Sequence, residues 1–252
     1  MAFYHFLAIF PALLVLLKIS ARVPQLGNEM KYLLQDLSSQ MLSGQLSRFF
    51  QQMMQELNQH IPSGIPLISV CAGALWAALN GTWAMIFGLN KAYEVEEHRS
   101  WREMAVTIVG LTLSLAVTGT IALFVMFYGA RIQGGIHRGA IAIRVLEWLV
   151  VAASLFLSFA VLYRFAPNLR EHEWRSSTPG AVCALILWIG STFGARFYFN
   201  HVDNYSRSYG HLNGAVMLLL WLYVTNGAIL IGGEMNSEIA KAVGERRKGP
   251  AG

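Results

Sequence analysis

Charge is scarce in this chain. Asp, Glu, Lys and Arg make up 13% of its 252 residues, while 55% are hydrophobic. A soluble domain carries about twice that charged share, so a water-facing globule is excluded for most of the length. Cysteine is scarce too: Cys71 and Cys183 both lie in apolar stretches, which excludes a disulfide framework and a CxxC metal site. The seven histidines are scattered without an HxxxH or HExxH pair, so no metal and no cofactor is expected. No phosphate-binding P-loop is present, so active transport would need an ion gradient or a partner. The formal charge of +5 could suggest nucleic acid, but Lys and Arg gathered in cytoplasmic loops explain it better, and no nucleic-acid partner is expected.

Long uncharged runs take the place of the missing charge. Ala215–Ile231 continues for seventeen residues without an ion and leads into GGEMNSEIAKAVGERRK, the pattern of a membrane-crossing helix beside a basic tail. The sequence predicts an all-α, polytopic membrane protein, a single domain over 1–252. Six transmembrane helices are expected at about 3–19, 65–89, 104–128, 141–163, 179–199 and 213–233, with a basic cytoplasmic tail at 237–252. The first run, Phe3–Leu17, lacks the basic start and small-residue cleavage site of a signal peptide. A chain opening on a helix suggests further sequence upstream.

Residues 29–60 differ in character. Met30, Leu33, Leu37, Met41, Phe49 and Leu57 recur at helical spacing against Gln35, Gln40, Gln45, Gln52 and Gln59. This is the pattern of an amphipathic helical segment, too polar to cross a bilayer and expected on the periplasmic face. Orientation follows from charge density. Segments 91–102, 164–178 and 237–252 hold ten Lys and Arg in 43 residues; 18–61, 129–144 and 200–212 hold eight in 73. Both termini are therefore expected in the cytoplasm.

The candidate functional residues are polar groups in apolar surroundings. Asn80 and Asn226 fall near the middle of their spans, each followed by glycine. An amide there either lines a polar cavity or makes an interhelical hydrogen bond. Arg144 and Glu147 share a face at three-residue spacing, and Arg196 sits where it can reach water or a ligand. These five residues are the candidates for a substrate cavity. Arg164, Arg170, Arg175 and Trp174 are candidates for an anionic lipid head group. Trp101, Tyr93 and Tyr163 are expected as interfacial anchors. Gly190 with Gly194, and Ala77 with Gly81, suggest close helix packing. The acidic runs at Glu94–His98 and Glu171–Glu173 suggest a solvated surface, and no catalytic residue is expected.

Four blocks, AFYHFLAIFPALLVLL, LNKAYEVEEHRSWR, YRFAPNLREHEWRSSTPGAVCALILW and YGHLNGAVMLLLWLYVTNGAILIGGEMN, resemble in order the YihY/virulence factor BrkB family. The resemblance implies a six-helix protein of the bacterial inner membrane with cytoplasmic ends. It departs at the front, where family members carry a basic segment ahead of the AFY motif. Some members carry a ribonuclease label, and others are associated with virulence or with moving envelope lipids. The expected function is a non-enzymatic transporter or translocator of an envelope lipid or small amphiphile, with membrane lipids as partners. An envelope scaffold is the alternative, and a ribonuclease the least favoured reading.

Overall fold

Uncharged stretches rich in Leu, Val, Ile, Ala and Phe, such as Met104–Tyr128, leave the backbone one economical solution in lipid, which is to bond to itself as a helix. The computed structural model describes residues 1–22, 52, 55, 67–135, 140–169, 177–201 and 213–248. Six helices lie among them: α1 (Ala2–Arg22), α2 (Leu67–Ala92), α3 (Trp101–Gly135), α4 (Ala140–Phe165), α5 (Ser177–His201) and α6 (Asn213–Lys248). Five, α2 to α6, are long and apolar enough to cross a membrane. They also expose large apolar side chains, including Trp76, Leu113, Leu149, Ile186 and Tyr223, which water would not tolerate over such an area. The chain is a multi-pass, all-helical membrane protein.

Two expected boundaries shift. The third span, expected to end at about 128, is helical as far as Gly135. The tail expected from 237 is helical to Lys248, because Glu238, Ala240, Lys241, Ala242, Glu245, Arg246, Arg247 and Lys248 are good helix formers that outweigh the single Gly244. Pro11 lies inside α1, where it withholds one backbone donor. The amphipathic segment 29–60 falls outside the described residues except at 52 and 55.

The described chain divides into two units, residues 1–81 with 189–226 and residues 82–188 with 227–252. In the first unit Ala2, Phe6 and Ile9 of α1 pack on Met217, Leu218 and Leu222 of α6. In the second, Leu89, Leu111, Phe159, Leu162, Ala184 and Ile229 share one core. Hydroxyl pairs join its helices: Thr82 with Thr112 at 2.8 Å and Thr118 with Ser158 at 2.8 Å.

A close helix approach in the second unit rests on glycine. A Cβ at Gly180 would strike the Gly232 carbonyl, and one at Gly232 would meet Tyr163 and lie 2.9 Å from Ala184 Cβ. Bare Cα atoms let α5 and α6 touch backbone to backbone. Gly190 and Gly194 do not pack in this way: both are exposed, and no described atom comes within 4 Å of either missing Cβ. The two glycine pairs predict opposite responses. Gly180→Ala and Gly232→Ala should lower thermal stability in detergent, by about 1–3 kcal/mol or more for overpacking. Gly190→Ala should be neutral or gain roughly 0.5–1 kcal/mol of helix propensity. Melting curves of the three variants check the contrast.

Candidate functional site

Two polar clusters stand out, one in each unit. In the first unit Asn226 of α6 is buried, at 5% exposure. Its Nδ2 donates to Leu222 O at 2.7 Å and faces His5 Nδ1 of α1 at 3.2 Å. The imidazole lies over Gly81 of α2, whose missing Cβ would stand 3.1 Å from His5 Cδ2. Asn226 Oδ1 and the neighbouring Thr225 Oγ1 are buried with no hydrogen-bond partner among the described residues. Such acceptors cost about 1–3 kcal/mol each. Asn226 Oδ1 in particular can accept from a donor brought to this site.

In the second unit the end of α2 and the loop after it form a latch. α2 stops in a Schellman turn: Val95 N–H donates to Asn90 O at 2.9 Å and Glu94 N–H to Lys91 O at 3.2 Å. Glu94 takes the left-handed conformation at φ 54°, the place where glycine is usual. Glu97 then accepts from Arg99 Nε and NH2, both at 2.7 Å, and from Asn90 Nδ2 at 2.7 Å. The same guanidinium reaches Ala166 O at 2.8 Å, covering a carbonyl that the end of α4 leaves free. Asn90 Oδ1 accepts from Asn168 N–H at 2.9 Å, which closes the network. α3 begins on a capping box, Ser100 N–H donating to Glu103 Oε2 at 2.8 Å and Glu103 N–H to Ser100 Oγ at 3.4 Å.

Nearby, Asn236 Oδ1 of α6 accepts the Gly180 N–H at 2.7 Å, satisfying one of the free amides that start α5. Tyr163 donates its hydroxyl to Ile229 O at 2.7 Å. Burial pushes the Tyr93 phenol up to about 12, against the opposing pull of a hydrogen bond with Asn236. Tyr163 and Tyr93 are therefore buried at 1% and 8% exposure, not interfacial anchors. The hydrogen bond each hydroxyl makes explains the burial. Trp101, at 76% exposed, does lie open as expected, with Arg102 over its ring.

The five cavity candidates divide between the units. Asn80 of α2 returns its amide to its own helix at Trp76 O, 2.7 Å away, whereas Asn226 reaches His5 on another helix. Arg196 lies on α5 in the same unit, with its side chain outside those described. Arg144 is exposed on α4 in the second unit, in an open depression with Ile141, Val145, Trp148 and Leu149. Glu147 follows one turn later, half-buried. Of the head-group candidates, Arg164 is exposed and stacks on Phe165, while Arg170, Trp174 and Arg175 lie outside the described residues. Among the described residues no group of three His, Cys, Asp or Glu could hold a metal. Sequence reasoning missed His5, Asn90 and Asn236. The Ser100-x-x-Glu103 spacing was legible as a cap, and a lone histidine in an apolar run was the signal for His5.

The Arg99 hydrogen bonds, aided by Asn90, hold the Glu97 carboxyl below the usual carboxylate range against a smaller opposing effect of burial. A depressed value means that the latch contributes stability above the ordinary value of 4.5 and loses it as pH falls through the folded value. Glu97→Gln should therefore melt below the wild type at pH 7, and the gap should close as the pH is taken below that ordinary value. A constant gap across that range would assign the stability to other groups.

The sequence matches the family described as Virulence factor BrkB over residues 1–251. It is 29% identical over 248 residues to the ribonuclease-like protein YfkH of Bacillus subtilis, covering 96% of this chain and 88% of that protein. It is 26% identical to a UPF0761 membrane protein of Pseudoalteromonas translucida, over 73% of this chain and 59% of the relative. A UPF0761 membrane protein of Xanthomonas campestris is 32% identical over 34% of this chain and 20% of its own length. The chain thus spans less than two thirds of these two UPF0761 relatives. No solved structure matches.

Proposed function

The chain belongs to the virulence factor BrkB family, and on that premise we propose that it translocates an envelope lipid or small amphiphile across the bacterial inner membrane. In this reading α1 is a sixth span, both termini are cytoplasmic, and the amphipathic segment 29–60 lies on the periplasmic surface. The observation that carries it is the buried Asn226, facing His5 with its own carbonyl oxygen and the Thr225 hydroxyl left without partners among the described residues. Polar groups placed so expensively between apolar helices are characteristic of a substrate or ion path. Arg196, on α5 of the same unit, supplies a charge by which such a path would engage a head group, and Arg164, in the second unit, offers anionic lipid a separate contact.

The name of the Bacillus relative directs attention to loop 94–99. There both Glu97 oxygens are bound to Arg99, while Glu96 and His98 stand 3.8 Å apart, largely in solvent. We read that loop as the tie between the ends of α2 and α4, and assign it no catalysis.

The test is transfer of a fluorescent phospholipid between leaflets in vesicles containing the purified chain. Asn226→Leu and Arg196→Gln should each slow transfer about tenfold, the effect of roughly 1.4 kcal/mol at a barrier. Asn80→Ala should slow it less, because its amide is bound within its own helix. Unchanged transfer in folded Asn226→Leu protein would remove this site from the mechanism. An absence of transfer by the wild type across lipid compositions would remove the translocation reading itself.

A further inference from the structure

The hydrogen bond between α1 and α6 fixes where His5 can carry a proton. Leu222 O can only accept, so the Asn226 atom 2.7 Å from it is the amide nitrogen. The second amide hydrogen is then the one offered to His5 Nδ1 at 3.2 Å. Nδ1 must keep its lone pair, and the neutral ring carries its hydrogen on Nε2. Protonation at Nδ1 would set one N–H against another. Asn226 cannot answer by turning its amide over, because Oδ1 would then face the Leu222 carbonyl at the position Nδ2 now holds.

We propose that His5 is a proton-binding switch, locking α1 to α6 while neutral and releasing it when Nδ1 is protonated. Among the described residues, Ala2, Phe6 and Ile9 of α1 add apolar contacts with α6, which do not respond to pH. The ring rests on Gly81 of α2 and faces Asn226 of α6, neither of them charged. Among the described residues, the charge that bears on His5 is the Met1 ammonium at the start of α1. The purpose of the switch rests on the translocation reading, since a proton gradient is an energy source open to a chain without a P-loop. The geometry of the switch does not depend on that reading.

Spin labels at positions 3 and 220 test it, because Phe3 and Leu220 are 61% and 46% exposed on α1 and α6. The full chain, with Cys71→Ser and Cys183→Ser, is measured in lipid nanodiscs by pulsed electron resonance at pH 8 and pH 5. One distance is expected at the higher pH, and a longer-distance population about tenfold larger at the lower, the scale of one lost hydrogen bond. His5→Phe should give the same distribution at both values. Asn226→Leu, which removes the donor that Nδ1 accepts, should likewise abolish the pH response and decides the matter even if His5→Phe does not fold. A wild-type distance that ignores pH, or an undiminished response in either variant, overturns the proposal. Lipid transfer measured on the same samples separates the two readings. A pH response without transfer refutes translocation and leaves the switch standing, and transfer without a pH response does the reverse.

Discussion

Lipid offers an amide or a hydroxyl no partner, so each polar group that these helices carry out of water must find one within the chain. Most of the polar detail in this structure follows from that constraint. Thr118 bonds back to its own helix and to Ser158. Tyr163 donates to the Ile229 carbonyl, and Asn236 accepts the Gly180 amide. Where α2 and α4 end, Arg99 and Asn90 bind what the loops leave over. In the second unit Arg99, Asn90, Tyr163 and Asn236 bind chain groups at helix ends and crossings, as parts of a framework. Among the described residues of the first unit, Thr225 Oγ1 and Asn226 Oδ1 are buried without a hydrogen-bond partner, and the proposed path is placed there.

Glycine answers the same constraint from the side of shape. Helices that share no solvent-driven attraction in lipid adhere through close contact, and the contact at Gly180 and Gly232 brings backbone against backbone. That approach allows Asn236 to reach the first turn of α5 and Tyr163 to reach a carbonyl one turn before Gly232 and Gly233. The sequence blocks STPGAVCALILW and GGEMN, more than fifty residues apart, are two halves of one contact.

Much of the fold was legible because membrane helices announce themselves by length and apolarity alone. The five helices α2 to α6 match the expected stretches, and α1 falls where the first apolar run lies. The ends were less legible. Residues 129–135 and 234–248 contain glycines and charges that suggest a turn or a tail in isolation, yet the helical ladder carries on through them. Site residues were half visible. A midspan asparagine is conspicuous in a hydrophobic run, so both Asn80 and Asn226 could be singled out. Which of them turns back on its own helix and which reaches across to another depends on rotation about the helix axis, and no single-residue property encodes that. His5 escaped notice because its partner lies 221 positions away, far beyond any local spacing rule.

The length of α6 has a physical meaning. Its 36 residues rise about 54 Å at 1.5 Å each, whereas the hydrocarbon layer is about 30 Å deep. The surplus has to leave the hydrocarbon or be taken up by tilt, and the charged run that closes α6, with Lys241 held by Glu94, is the part that water favours over oil.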